Sequence, residues 1–130
     1  MTFHWTERYA TGIPRVDAQH QTLIRIINEV FEILCSDNPE EIDASLVKLG
    51  DYITEHFALE EAYMVETAYP EHAEHKEAHA SFAARIADLR EGCASKRVVA
   101  LRAGFMLSEW LQDHLLKEDK HLFAHVKRVR

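Results

Sequence analysis

The sequence predicts an all-α protein: an up-down-up-down four-helix bundle with an irregular N-terminal arm and a short C-terminal helical segment. Three observations predict it. Apolar residues recur at steps of three and four along four stretches of about 20 residues each, which lines one face of a helix. Helix-start signals at Asn38-Pro39-Glu40-Glu41, Pro70 and Ser95 separate these stretches and leave only short connections. No stretch alternates polar and apolar residues as a strand does, and there is no internal repeat. Helices roughly 30 Å long joined by short loops pack antiparallel. A chain of 130 residues suits one domain, residues 1–130, with one core.

Residues 1 to about 15 contain Gly12 and Pro14 without a period and read as an arm. From Val16 the apolar positions run Val16, Leu23, Ile24, Ile27, Val30, Phe31 and Leu34, with His20 on the same face. Ser36-Asp37-Asn38 ends this first helix. The second carries Ile42, Leu46, Leu49, Ile53, His56, Phe57, Glu60 and Met64. Two titratable groups thus continue an otherwise apolar stripe, where an unpaired charge costs several kcal/mol or more. A third helix opens at Pro70, carries His75, His79, Phe82, Ile86 and Leu89, and ends near Gly92. A fourth, capped by Ser95, has Val99, Ala103, Met106, Leu107, Trp110 and His114 on one face. Lys120 to Arg130 adds an extra turn or two, and the basic end Lys127-Arg128-Val129-Arg130 reads as frayed.

The composition, 47% hydrophobic and 28% charged, is that of a globular protein. A net charge of -7 disfavours binding to nucleic-acid phosphates. No apolar run approaches the roughly 20 residues that span a bilayer, and the N-terminus lacks a signal-peptide pattern. Cys35 and Cys93 form no CxxC or zinc-type spacing, so reduced thiols and a cytoplasmic location are expected.

The nine histidines are the anomaly. Antiparallel helices set early positions of one beside late positions of the next. His20, His56, His75, His79 and His114 therefore fall at one end of the bundle, together with Glu60 and Asp119. A lone inward histidine such as His20 is more often a hydrogen-bonded core residue. His75-x3-His79 and His56-x3-Glu60 each place two ligands one above the other on a helix. Converging unpaired in a core, all seven would be prohibitive, and seven ligands suit two metals rather than one. If both carboxylates bridge, five imidazoles divide three and two, leaving one metal with an open position. Zinc-protease HExxH fails because Lys76 occupies the Glu position. The ferritin-like pattern finds one Glu-x-x-His pair, Glu118 and His121, without its partners.

The residues Thr11-Gly12-Ile13, Asp17-x-Gln19-His20, His56-x3-Glu60, Tyr69-Pro70, His75-x3-His79-x2-Phe82, Trp110-Leu111-x2-His114 and His114-x4-Asp119 follow one another in order over residues 5–119. In this pattern the chain closely resembles the hemerythrins, in their single-domain bacterial form. The resemblance implies two iron ions per chain. His75, His79 and His114 would hold one and His20 and His56 the other, bridged by Glu60, Asp119 and an oxo or hydroxo group. It also implies that O2 binds at the two-histidine iron, with Leu23, Phe57, Trp110 and Leu115 lining its pocket. Iron rests on this resemblance, because imidazole and carboxylate also suit zinc, manganese and cobalt.

The function expected is reversible O2 binding without catalysis, for storage or delivery to an oxygen-consuming enzyme. The alternatives are an O2 or redox sensor, a di-iron enzyme acting on peroxide or NO, and iron storage. Sensor versions are normally fused to a signalling module, for which this chain leaves no residues. Two details carry structural expectations. Residues five apart in an α-helix differ by roughly 140°, so His114 and Asp119 require a π-bulge or break near Leu116-Lys117. His72, His75 and His79 lie within an arc of roughly 60°, but the wheel through Phe82, Ile86 and Leu89 centres on His75 and leaves His72 a bystander.

Overall fold

The computed structural model describes residues 3–35, 38–91 and 96–130, leaving out the side chains at positions 96, 97, 99 and 100. Its helices are α1 (Pro14–Leu34), α2 (Pro39–Glu66), α3 (His72–Glu91), α4 (Lys96–Trp110) and α5 (Asp119–Val129), and a π-helical segment, Leu111–Glu118, joins α4 to α5 without a break. α1 packs along α2 and α2 along α3, each pair antiparallel, as the contacts of Lys48 with Glu29 and His56 with Gln19, and of His79 with Glu61 and Arg90 with Asp43, require. The expected end signals Ser36-Asp37 and Gly92, and the cap at Ser95, lie outside the described residues.

Local chemistry sets the boundaries that are described. Pro14 takes the first position of α1, where a missing N–H costs nothing. The Asn38 side chain accepts hydrogen bonds from the N–H groups of Glu40 and Glu41, and Pro39 opens α2. α3 starts two residues later than Pro70 suggests. Ala68 turns the chain with φ +49°, and Tyr69-Pro70 completes that turn before His72. The C-terminal segment is longer than expected, 11 residues. Its end is docked rather than frayed: the Arg130 guanidinium lies 5.2 Å from the Tyr63 ring centre and 3.2 Å from Glu66.

The inward stripes of α1 and α2 are buried throughout. The main core holds Leu23, Ile27, Leu46, Leu49, Ile53, Phe57, Phe82, Leu107 and Leu115, and a smaller cluster of Val16, Met64, Tyr69, Leu122, Phe123 and Val126 packs separately. The arm is tied across α1. Asn28 donates to the Phe3 carbonyl and accepts from the Phe3 N–H, both at 2.8 Å. Asp17 accepts from the Thr11 N–H at 2.7 Å, the Thr11 hydroxyl at 2.8 Å and the Gly12 N–H at 3.3 Å. These bonds explain the Thr-Gly and Asp elements of the sequence pattern: they fix the approach of α1, and hence His20.

Candidate metal centre

All seven expected ligands converge in one buried cluster. His20, His56, Glu60 and Asp119 are fully buried, and His75, His79 and His114 are at most 4% exposed. α1 supplies His20, α2 supplies His56 and Glu60, α3 supplies His75 and His79, the π segment His114, and α5 Asp119. The π segment solves the five-residue spacing. The Asp119 N–H bonds to the His114 carbonyl, an i to i+5 bond that lets two residues five apart share a face. His72 is half-exposed and takes no part.

The seven side chains fall into two sets. Glu60, His75, His79, His114 and Asp119 offer ligand atoms within 4.8 Å of one another, as do His20, His56, Glu60 and Asp119. Only the carboxylates belong to both. Glu60 divides its oxygens accordingly. Oε1 faces Nε2 of His79 (2.9 Å), His114 (3.2 Å) and His75 (3.7 Å), while Oε2 faces Nε2 of His56 (3.4 Å) and His20 (3.7 Å). Asp119 turns Oδ1 to His75 (3.3 Å) and Oδ2 to His20 and His114 (both 3.0 Å).

The arrangement fits metal ions better than it fits itself. Nε2 of His20, His56, His75 and His79, Oε2 of Glu60 and both oxygens of Asp119 are buried without hydrogen-bond partners, although several lie close enough for one. Proximity without hydrogen-bond directionality means that lone pairs converge on shared points between the side chains. Buried polar atoms are otherwise nearly always paired. Nitrogen and oxygen donors in such a set suit a divalent transition metal.

Electrostatics agree. Burial pulls the His56 imidazole down, but Glu60 and Asp119 outweigh it and hold the group at about 9. His75 is held at about 9 against the same burial by Asp119 and Glu60. His20 and His114 are raised for the same reason. Burial pushes Glu60 up, yet His56 and His114 hold it well below the usual carboxylate range. Asp119 is raised by burial and by Glu60, but His114 and His20 bring it below its ordinary value. The cluster is therefore strongly attractive to positive charge, whether protons or metal.

An outer layer that the sequence reading missed orients the rings. His56 Nδ1 meets Gln19 Oε1 at 2.8 Å, His79 Nδ1 meets Glu61 Oε2 at 3.1 Å, and His114 Nδ1 meets Glu118 Oε1 at 3.3 Å. Each contact puts the proton on Nδ1 and leaves Nε2 free as a ligand. Around them lie apolar walls. Phe57 stacks on His79 at 3.8 Å and 3°, and Trp110 stacks on His114 at 4.7 Å and 14°. Leu23, one turn after His20, and Leu115, beside His114, are fully buried in the same core as Phe57 and Trp110.

The comparisons with known proteins coincide with this geometry. Residues 11–126 match the family described as Hemerythrin HHE cation binding domain. A bacteriohemerythrin of Stenotrophomonas maltophilia is 30% identical over 95% of this chain and 80% of its own length. A bacteriohemerythrin of Methylococcus capsulatus is 30% identical over 89% of this chain and 90% of its own. A wild-type hemerythrin crystal structure superposes with a TM-score of 0.82 at 26% identity, covering 97% of this chain and 98% of that one. With its bundle, its two shared carboxylates and its five convergent imidazoles, this chain belongs to the hemerythrin family.

Proposed function

We propose that the protein binds O2 reversibly at a non-haem di-iron centre and acts as a carrier or store rather than a catalyst. One observation carries the reading. Two ligand sets share Glu60 and Asp119 but are unequal, three histidines against two, so the smaller set is one ligand short. His75, His79 and His114 would hold the more fully ligated iron, and His20 and His56 the other, with Glu60 and Asp119 as bridges. When bound, the two ferrous ions supply the electrons that O2 takes up on binding.

The chain's own residues do the rest. Gln19, Glu61 and Glu118 hold three imidazoles in the ligating tautomer. Leu23, Phe57, Trp110 and Leu115 form apolar walls that would keep water and protons from the ligand position, which favours return of intact O2 over loss of peroxide to solvent. No helix among the described residues is long and apolar enough to cross a membrane. A cytoplasmic location and delivery to an oxygen-consuming enzyme complete the proposal. The test is anaerobic titration with ferrous iron. Two irons per chain should bind, with distinct Mössbauer signals for five- and six-coordinate ions. A single iron, or two identical ones, would defeat the proposal.

A further inference from the structure

A cluster this deeply buried must be filled from outside, and one ligand differs from the other four in how it is held. His56, His79 and His114 are each tethered through Nδ1 to a side chain. His20 has no such tether but is sealed in the core at 0% exposure. His75 is untethered and unsealed. Its Nδ1 has no hydrogen-bond partner among the described residues, the residue is 4% exposed, and it forms part of the wall of a surface cleft of about 420 Å³. Glu71, Glu74, Glu118, His121, Tyr69 and Lys117 form the rest of that wall.

We infer that this cleft is the port through which divalent cations enter the buried site, with Glu71, Glu74 and His121 collecting the ion and His75 passing it inward. The inference rests on the metal-centre reading above. Three carboxylates and an imidazole offer oxygen and nitrogen donors to a ferrous ion, and Glu118 also touches His114 at 3.3 Å, so the cleft adjoins two ligands of the three-histidine set. His121 Nε2 lies 3.1 Å from Glu71 Oε2, and the Tyr69 hydroxyl donates to the same oxygen at 3.2 Å. The cleft carboxylates do not close into a third tight ligand set among the described residues. A relay requires this, because an ion held firmly at the mouth would not move on. The untethered His75 ring can turn toward the cleft without breaking a hydrogen bond, which none of the three tethered rings can do. Lys117 is the one cation of the wall among the described residues, and Asp113 at 3.6 Å partly offsets it.

Glu74 also suits the first turn of α3, and Glu71 the turn just before it, where acidic groups favour the helix dipole. Stability alone therefore cannot test the port; the rate of filling can. Metal-free protein is mixed with excess cobalt(II), and the visible absorption of the bound ion is followed by stopped flow, with final stoichiometry measured separately. Charged clefts raise cation association by roughly 10 to 1,000-fold, so Glu71→Gln with Glu74→Gln should slow filling about tenfold. Lys117→Gln should speed it, and both effects should shrink in high salt. The final cobalt count and spectrum should match the parent. Equal rates in all three proteins would overturn the port. A changed final count or spectrum would instead place Glu71 or Glu74 in the site and overturn the relay role. Failure of the parent to bind two ions would refute the metal-centre reading itself, independently of the rates.

Discussion

The metal-free protein should lose stability as pH rises from 6.5 to 9, while its hold on metal strengthens over the same range. The perturbation is removal of protons from the histidine cluster. His56 and His75 are held at about 9 by Glu60 and Asp119, against 6.5 in an unfolded chain. A group raised on folding stabilises fully below its unfolded value and ceases to as pH climbs through its folded value. The folded chain thus binds more protons than the unfolded one between those limits. Each extra proton lowers the unfolding free energy by about 1.4 kcal/mol per pH unit. Between pH 6.5 and about 9, His56 alone would account for a loss on the order of 3 kcal/mol. Metal reverses the sign, because imidazole must give up its proton to bind. Urea unfolding of chelator-treated and metal-loaded protein at pH 6.5, 7.5 and 9 reads both arms. Stability of the metal-free protein that is flat or rising over this window would refute the reasoning, as would metal binding that weakens with pH.

Further outcomes are expected. Gln19→Ala or Glu118→Ala frees one ligand ring and should weaken metal binding about 10 to 100-fold in competition with a chelator, with the fold retained. Leu23→Gln or Leu115→Gln places an amide in a fully buried wall, costing about 1–3 kcal/mol. Either change should also speed oxidation of the oxygenated protein, followed by its visible spectrum; unchanged rates in both would remove the walls from the account. Gly12→Ala forces a side chain onto φ +85°, where its Cβ would meet Lys127 Nζ at 2.8 Å. The lysine can move but the backbone cannot, so the loss should be about 1–2 kcal/mol in urea unfolding.

The sequence made the ligands legible because helical periodicity acts on them directly. His56 and Glu60 stand out as polar interruptions of an apolar stripe, and the wheel of α3 separates His75 and His79 from His72. Even the π segment was readable, from the spacing of His114 and Asp119 that an α-helix cannot serve. What was hidden depends on neighbours remote in sequence. Gln19 and Glu61 lie next to ligand positions in ordinary polar company, and only the packing of α1 and α3 against α2 gives them imidazoles 37 and 18 residues away. Glu118 was visible only as half of a failed ferritin motif; its real partner is His114, one turn back. The docked C-terminus was equally hidden, since Tyr63 and Glu66 hold Arg130 across more than 60 residues. Pro70 misled by two residues because it serves the turn begun at Ala68 and not the helix after it.

The central claim is that two irons, unequally ligated by His75, His79 and His114 and by His20 and His56, bind O2 and release it intact. The direct measurement loads the protein with ferrous iron under anaerobic conditions and cycles it between air and vacuum while the visible spectrum is recorded. An oxygenated spectrum should appear in air, disappear under vacuum and return over repeated cycles. A spectrum that forms once and persists under vacuum, with peroxide released to solution, would contradict that claim.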